Sequence, residues 1–312
     1  MKISSPHFGR IAKIGATLLL LAILFLTLDV EKLADAVFRV HPLSMAAGIV
    51  LCGFFVAARM AKWVILARSN SLSAPTPVMV RSMLLALALG IVTPGRVGEV
   101  VAIVPFPAAE RGKALLAYAY DRLGELSTVI LFCVPAAIIF LPHYGLPIAI
   151  CLIIGTAGAV SMMESRRLRG WIIRHLPKRT PRRVGEILAA PIRAPALYWF
   201  VSGICYLLTY ASVAAFMAGA EPIPSLSALL ILPIVTLSNL VTITIGGLGV
   251  REGLAALVSP AAGLTPEVTA AAFFLSFFWT RLVPGLIGVL LTQFMGLGLT
   301  PQAGQSSRPG ED

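Results

Sequence analysis

The sequence predicts an all-α fold: a polytopic membrane helix bundle over residues 1–312, with two re-entrant helical hairpins in an inverted repeat. Three observations predict it. Hydrophobic residues make up 58% of the chain and charged residues only 12%, whereas an average soluble domain is about one-quarter charged. Several apolar windows approach about 20 residues, the length that crosses a hydrocarbon core of about 30 Å. Two charged, glycine-containing segments interrupt the apolar pattern and resemble each other.

The apolar windows predict the membrane spans in chain order. The clearest windows are residues 11–28, 43–58 (continuing as an amphipathic helix to Ala67), 126–141, 144–163 and 196–220. A last span before the polar C-terminal tail brings the expected number of full spans to six. Asp29 and Glu31 follow the first window, with no small-residue cleavage site, and this favours a retained span over a cleaved signal peptide.

The positive charge predicts the orientation of these spans. Residues 164–195 form a loop with nine Lys and Arg residues against two Glu residues. Because cytoplasmic loops of membrane proteins are enriched in Lys and Arg, this loop and both termini are expected in the cytoplasm. The cations after the second span are interpreted as flanking charges of the same kind: Arg59, Lys62, Arg68 and Arg81.

The composition of the basic loop also fits other partners. Residues 166–176 mix Trp171 and aliphatic residues with cations, as an interfacial helix on anionic lipid does. An ordinary cytoplasmic loop is the simpler interpretation. Nucleic-acid binding also suits a basic run, but beside a bilayer it is the weaker inference, and no nucleic-acid partner is expected.

Residues 78–110 are predicted to form the first re-entrant hairpin. Only about a dozen apolar residues separate Arg81 from Pro94, and a helix of roughly 18 Å is too short to cross the core. Pro94 and Gly95 supply the break, because proline removes a backbone donor and glycine permits unusual backbone angles. Glu110 begins a charged segment like the one before the hairpin, so both ends are expected on the cytoplasmic face.

Residues 226–263 are the candidate for a second hairpin, entered from the opposite face. Its break is predicted at three glycines, Gly246, Gly247 and Gly249. The charged pair Arg251 and Glu252 follows the break. Residues 226–245 are long enough to span outright, so a full crossing stays open, with eight spans if both hairpins cross.

A long helix with one arginine in apolar surroundings follows each hairpin. Arg122 lies 26 residues after Arg96, and Arg281 lies 30 residues after Arg251. The two repeats are assigned to residues 78–141 and 224–299. An inverted repeat of this kind places a binding site near the membrane midplane, with access that alternates between the two faces.

The charged residues of the two repeats are the predicted substrate site. An arginine near the bilayer centre costs about 2.5–3.5 kcal/mol to insert, so several of them indicate a function. The planar guanidinium favours two-point binding of phosphate or carboxylate. The site residues are predicted to be Arg96, Glu99, Asp121, Arg122, Glu125, Arg251, Glu252 and Arg281.

The spacing of these residues predicts how they pair. Arg122 and Glu125 are three apart on a helix and are expected to pair, while Asp121 is expected close to the interface. Because adjacent residues do not share a helical face, the second hairpin is expected to pair with the first: Arg96 with Glu252, and Arg251 with Glu99. The alternative is that these ions only neutralise one another and hold the hairpins together.

Four glycines on predicted spans are expected at close helix contacts, because small residues allow helix backbones to approach. They form two pairs with similar spacing, Gly155 with Gly158 and Gly285 with Gly288.

The sequence contains no signature of nucleotide-driven transport or of common hydrolytic chemistry. It has no GxxxxGK[ST] loop, no GxSxG elbow and no HExxH pair. The four cysteines include no CxxC pair, and the four histidines lie in separate segments. No metal and no cofactor are therefore expected, and transport would be downhill or coupled to an ion.

Three segments resemble one known family. TPGRVGEV, YDRLGE and GGLGVREG, in this order, are similar to the lysylphosphatidylglycerol synthase transmembrane (flippase-like) family. The resemblance implies a non-enzymatic lipid translocase whose two hairpins meet between the leaflets. By motif it implies that the lipid path is lined by Arg96, Glu99, Arg122, Arg251 and Glu252.

Only a short polar tail follows the last span, where bifunctional relatives carry a soluble aminoacyl-transfer domain. The chain is thus expected to move a lipid that a separate enzyme makes. Candidate lipids are a phospholipid, an aminoacylated lipid, a polyprenyl-phosphate sugar and a hopanoid. Two other functions stay open: a membrane enzyme acting on a lipid phosphate, with Glu99 or Asp121 as base, and a scaffold that holds a cytoplasmic lipid-modifying enzyme through residues 164–195.

Overall fold

The computed structural model describes residues 30–140, 143–165, 167, 170–171, 192–238 and 249–295. These ranges are helical and contain no strand, which confirms the predicted all-α class for them. Three predicted features lie outside the described residues: the span at 11–28, the glycines Gly246 and Gly247, and most of the basic loop.

Ten α-helices occur in the described ranges, with short 3-10 and π-helical segments between them. The α-helices are α1 Val30–Phe38, α2 Pro42–Ser69, α3 Thr76–Val92, α4 Arg111–Phe140, α5 Gly145–Glu164, α6 Ala196–Ala220, α7 Ile231–Leu237, α8 Val250–Val258, α9 Pro266–Phe277 and α10 Val283–Met295. The 3-10 segments are Pro94–Ile103, Leu226–Leu230 and Ser259–Ala262, and a π-helical turn, Phe278–Leu282, joins α9 to α10.

Four of the described helices are long and apolar enough to cross a membrane: α2, α4, α6 and the continuous run Pro266–Met295. Helix α5, which corresponds to the predicted span 144–163, has a shorter apolar stretch, Gly145–Gly158. The predicted span 126–141 is only the C-terminal half of α4, which begins at Arg111. The charged residues in the first half of α4 lower its hydropathy, so the apolar pattern did not predict that half as part of the span.

The segment after α3 turns back and packs along α3. Helix α3 ends at Val92, directly before the predicted break, and the returning arm is a 3-10 helix instead of the expected α-helix. The Thr93 hydroxyl stabilises the turn, donating to the Leu89 carbonyl at 2.5 Å and accepting from the Gly98 N–H at 2.7 Å. At the base, the Glu110 carboxylate accepts from both the N–H and the hydroxyl of Ser73, at 2.8 and 2.7 Å, so the two ends of the segment meet.

A similar closure joins the ends of the second predicted hairpin. The Glu221 carboxylate accepts from the Thr265 N–H at 3.1 Å and from the Thr265 hydroxyl at 2.6 Å. Helices α7 and α8 contact each other between these ends. Gly249 begins α8 with a φ of 83°, a left-handed conformation that favours glycine. The turn from 239 to 248 lies outside the described residues.

The interior divides into two clusters of buried side chains. In the first, Trp63 of α2 makes edge-to-face contacts with Phe106 and Tyr118, with ring centroids 6.2 and 6.1 Å apart. In the second, Phe216 of α6 and Phe273 of α9 are almost fully buried. The first cluster includes residues of α3 and of the segment Pro94–Ile103, and the second includes residues of α7 and α8.

Helix α10 packs closely against α3 at the predicted glycines. A Cβ added to Gly285 would lie 2.9 Å from the Ala88 nitrogen, and one added to Gly288 would lie 2.4 Å from the Leu84 carbonyl carbon. The predicted close contact is confirmed at this pair. At Gly155 and Gly158 an added Cβ meets no described atom within 4 Å, so the described part of the chain shows no close contact at this pair.

Candidate functional site

A cavity of about 430 Å³ is lined by residues of α2, the 3-10 segment Pro94–Ile103, α4, α6, α7, α8, α9 and the π-helical turn. Six cations line it: Arg59, Lys62, Arg96, Arg122, Arg251 and Arg281. Two carboxylates, Glu99 and Glu125, also face it, together with hydroxyl, aromatic and aliphatic side chains. Among the predicted site residues, Asp121 and Glu252 do not line the cavity but contact cations that do.

Glu99 is the centre of the cation cluster. It is 1% exposed, and one oxygen accepts a hydrogen bond from the Tyr118 hydroxyl at 2.7 Å. Four guanidinium groups approach its carboxylate: Arg122 at 3.2 Å, Arg281 at 3.3 Å, Arg59 at 3.9 Å and Arg96 at 4.0 Å. Gly90 leaves room for this side chain, because a Cβ there would lie 2.4 Å from Glu99 Cγ.

A second group of charges joins α2 to α4. Lys62 Nζ lies 3.1 Å from Asp121 Oδ1 and 2.9 Å from Glu125 Oε1. Arg122 contacts the same two carboxylates, at 3.1 Å from Asp121 and 2.7 Å from Glu125, and this confirms the predicted Arg122–Glu125 pair. Asp121 also accepts from the Tyr198 hydroxyl at 3.1 Å and is fully buried. The prediction that Asp121 reaches the interface is therefore wrong, because α4 begins ten residues before it.

Arg251 and Glu252 form a pair at the start of α8. The Arg251 guanidinium donates to the Glu252 carboxylate, whose other oxygen accepts from the Gly249 N–H at 2.9 Å. The guanidinium also lies over the rings of Phe277 and Phe273, with its carbon 5.0 and 6.0 Å from their centroids. Such contacts stabilise a buried cation.

This arrangement corrects the predicted pairing across the hairpins. The structure pairs Arg251 with its neighbour Glu252, and it places Arg96 beside Glu99 of its own 3-10 segment. The prediction treated the adjacent residues as opposed on a helix. Glu252 instead lies in the first turn of α8 and folds back toward the helix start, where the Arg251 side chain reaches it.

Two residues of the site lie outside the predicted set. Arg59 and Lys62 were interpreted as flanking charges, yet they are 3% and 1% exposed and face the cavity from within α2. The signal was their spacing of three on an uninterrupted helix that continues to Ser69. Such spacing puts both side chains on one face.

The backbone is strained or irregular where two of the arginines project. Arg96 has a φ of 57°, a left-handed conformation that costs an L-residue roughly 1–2 kcal/mol. Arg281 lies in the π-helical turn, and such turns occur frequently at functional sites. The described residues contain no group of three His, Cys, Asp or Glu side chains that could hold a metal ion. The site is thus built from fixed charges, and its excess of cations suits an anion.

Comparison with known proteins gives one match. A family model described as "Lysylphosphatidylglycerol synthase TM region" matches residues 10–288, which include every charged residue of the site. No curated protein and no solved structure gives a significant match.

Proposed function

The chain belongs to the lysylphosphatidylglycerol synthase TM region family, and on that basis we propose that it translocates a lipid across the bacterial inner membrane. The headgroup would enter the cavity lined by arginine and glutamate, and the acyl chains would stay in the bilayer. The lipid would be made by a separate enzyme, and the protein would move it without chemical change.

One observation carries this proposal: a cavity with six cations lies inside a bundle whose outside is apolar. Large hydrophobic side chains are exposed on α2, α5 and α6, for example Phe54, Ile154 and Phe200. A membrane would cover such surfaces. Intramembrane charges that face a cavity are typical of a substrate path.

The size of the cavity favours a headgroup as the ligand. Its volume of about 430 Å³ lies in the lower part of the range for ligand sites, which is about 300–1,000 Å³. A phosphate with a small substituent fits this space, whereas an entire diacyl lipid does not. The hydroxyls of Tyr206, Thr209 and Thr236 line it beside the charges and offer hydrogen bonds to such a substituent.

The path through the membrane would follow from two re-entrant hairpins of opposite orientation. The hydrogen bonds of Ser73 with Glu110 and of Thr265 with Glu221 support this topology, because each joins the two ends of one predicted hairpin. The contact between Glu99 and Arg281 supports a common site, because it links the first repeat to the second. In inverted repeats such a site opens alternately to the two faces.

The test is a translocation assay in proteoliposomes with a panel of labelled lipids. The full-length protein should accelerate movement of one lipid class, and Arg281→Gln should reduce the rate at least about tenfold, as the loss of a charged contact predicts. Arg39→Gln is the matched control, because Arg39 is 72% exposed and pairs only with Asp35 in the described structure. Folded wild-type protein that moves no lipid would refute the proposal.

A further inference from the structure

The charges around the cavity do not balance. Six cations line it, and four carboxylates lie in contact with them: Glu99, Asp121, Glu125 and Glu252. Lysine and arginine are cations, and the carboxylates of aspartate and glutamate are anions, at neutral pH. The described site therefore has two more positive charges than negative ones.

The carboxylates are each engaged at short range by a cation. Arg251 is hydrogen-bonded to Glu252, and Lys62 lies 3.1 Å from Asp121. Arg122 lies 2.7 Å from Glu125. Glu99 has Arg281 at 3.3 Å as well as Arg122 at 3.2 Å. No carboxylate of the described site is left to neutralise a further cation.

Arg59 is the clearest example of a cation in excess over the carboxylates. Its side chain is 3% exposed, yet its Nε and Nη2 have no hydrogen-bond acceptor within the described structure. Its distances to Glu99 and Glu125, 3.9 and 3.7 Å, are too long for hydrogen bonds. Leaving charged donors buried and unsatisfied is costly. Because Arg59 lines the cavity, these donors indicate a ligand that accepts from them.

We infer that the cavity binds a phosphate headgroup with two negative charges, and that Arg59 donates to it. A phosphomonoester and a disubstituted diphosphate both have this charge. The inference rests on the proposed function only for the statement that this phosphate belongs to a lipid. A phosphodiester with one negative charge would leave one cation unbalanced, and an aminoacylated headgroup with a net positive charge would be repelled.

A binding experiment tests the charge of the ligand without transport. Purified full-length protein in phosphatidylcholine nanodiscs is titrated at pH 8 with methyl phosphate, a dianion there because its second pKa is about 6, and with dimethyl phosphate, a monoanion. The protein should bind methyl phosphate at least about tenfold more tightly. Arg59→Gln should abolish this preference, and Arg39→Gln should keep it.

The wild type alone provides a second measurement in case Arg59→Gln does not fold. Lowering the pH from 8 to 5 converts methyl phosphate to a monoanion, so its affinity should fall to that of dimethyl phosphate, whose affinity should stay constant. Equal affinities at pH 8, no measurable binding of methyl phosphate, or a preference that survives in folded Arg59→Gln would overturn the inference.

A transport experiment separates this inference from the proposed function. Proteoliposomes carry phosphatidic acid, phosphatidylglycerol or lysylphosphatidylglycerol with identical acyl chains. Faster movement of phosphatidic acid supports both proposals. Equal movement of all three lipids refutes the dianion inference and leaves translocation standing. Selective binding of methyl phosphate without movement of any lipid refutes translocation, and the phosphate site stands as one for a free phosphate compound.

Discussion

Glu99 Oε1 lies 3.3 Å from Nη1 of Arg281, although 182 positions separate the two residues. Glu99 belongs to the 3-10 arm that packs along α3, and Arg281 belongs to the π-helical turn between α9 and α10. Their contact lies at the cavity and joins the two halves of the chain. It gives the charge cluster a part in stability as well as in binding.

The first prediction is a double-mutant cycle on this pair. Glu99→Gln leaves the guanidinium groups around it without their common partner and should destabilise the protein by about 3–5 kcal/mol. Arg281→Gln should reduce the free energy of unfolding by less, since Glu99 retains its ion pair with Arg122. The double variant should be more stable than the sum of the two single-variant effects predicts, with a coupling free energy of about 1–3 kcal/mol. Thermal unfolding in detergent measures all four proteins.

The control for this cycle is the exposed pair of Arg39 with Asp35, whose side chains are 72% and 55% exposed. Exposed pairs contribute about 1 kcal/mol or less, so Asp35→Asn and Arg39→Gln should change the melting temperature little. Additive effects at Glu99 and Arg281 would show that their contact does not stabilise the protein.

The second prediction concerns the packing of α10 on α3. Gly288→Ala places a Cβ 2.4 Å from the Leu84 carbonyl carbon, so the helices must separate. We expect a loss of about 1–3 kcal/mol and slower transport. The matched control is Gly155→Ala, which meets no described atom within 4 Å and should keep wild-type stability. Equal melting temperatures for the two variants would contradict the close contact.

The two glycine pairs show what the sequence determines and what it does not. Gly155 with Gly158 and Gly285 with Gly288 have the same spacing on apolar helices, and the pattern predicts a close contact for both. Within the described ranges, only the second pair faces a neighbouring backbone. A local pattern gives the helix and its possible interfaces, whereas the partner of each face depends on how distant helices assemble.

The charged residues also show that local geometry was predictable and that contacts between distant helices were not. Arg122 and Glu125 were predicted to pair because a helix alone brings them together. Arg59 was assigned to the membrane flank, since its role depends on α4, which follows more than 40 residues later in the chain. The break after α3 was predictable from Pro94 and Gly95, because those residues act on their own backbone.

The third prediction concerns Arg96, whose φ of 57° strains an L-residue. Arg96→Gly and Arg96→Ala remove the same functional group, but glycine adopts this conformation without strain. The glycine variant should therefore be more stable than the alanine variant by about 1 kcal/mol, and neither should transport lipid. Thermal unfolding measures the first difference, and the proteoliposome assay measures the second. Equal stability of the two variants would contradict the left-handed turn.

Arg96→Lys tests the chemistry at the same position. It keeps the charge but loses the planar fork that grips phosphate at two points. We expect most of the transport activity to disappear while the protein stays folded. Activity close to that of the wild type would show that Arg96 acts as a point charge only.

The fourth prediction concerns the topology of the hairpins. Because Ser73 and Glu110 are hydrogen-bonded, residues close to them should lie on one face of the membrane. Cysteines introduced at the exposed positions Pro77 and Ala108 should therefore react with an impermeant maleimide from the same side. The pair Pro222 and Ala261 should react together from the opposite side, because Glu221 and Thr265 join the second hairpin in the same way.

The labelling is done in a variant without the four native cysteines, of which only Cys151 is exposed in the described structure. Inverted and right-side-out vesicles report the two faces separately. If Pro77→Cys and Ala108→Cys react from opposite faces, the first segment crosses the membrane. The 17-residue helix α3 would then cross the membrane only if the 3-10 arm continued it toward the other face. The packing of that arm along α3 opposes this arrangement. Labelling from one face would leave the tip of the hairpin, with Arg96, inside the bilayer, where a charged lipid headgroup has to pass.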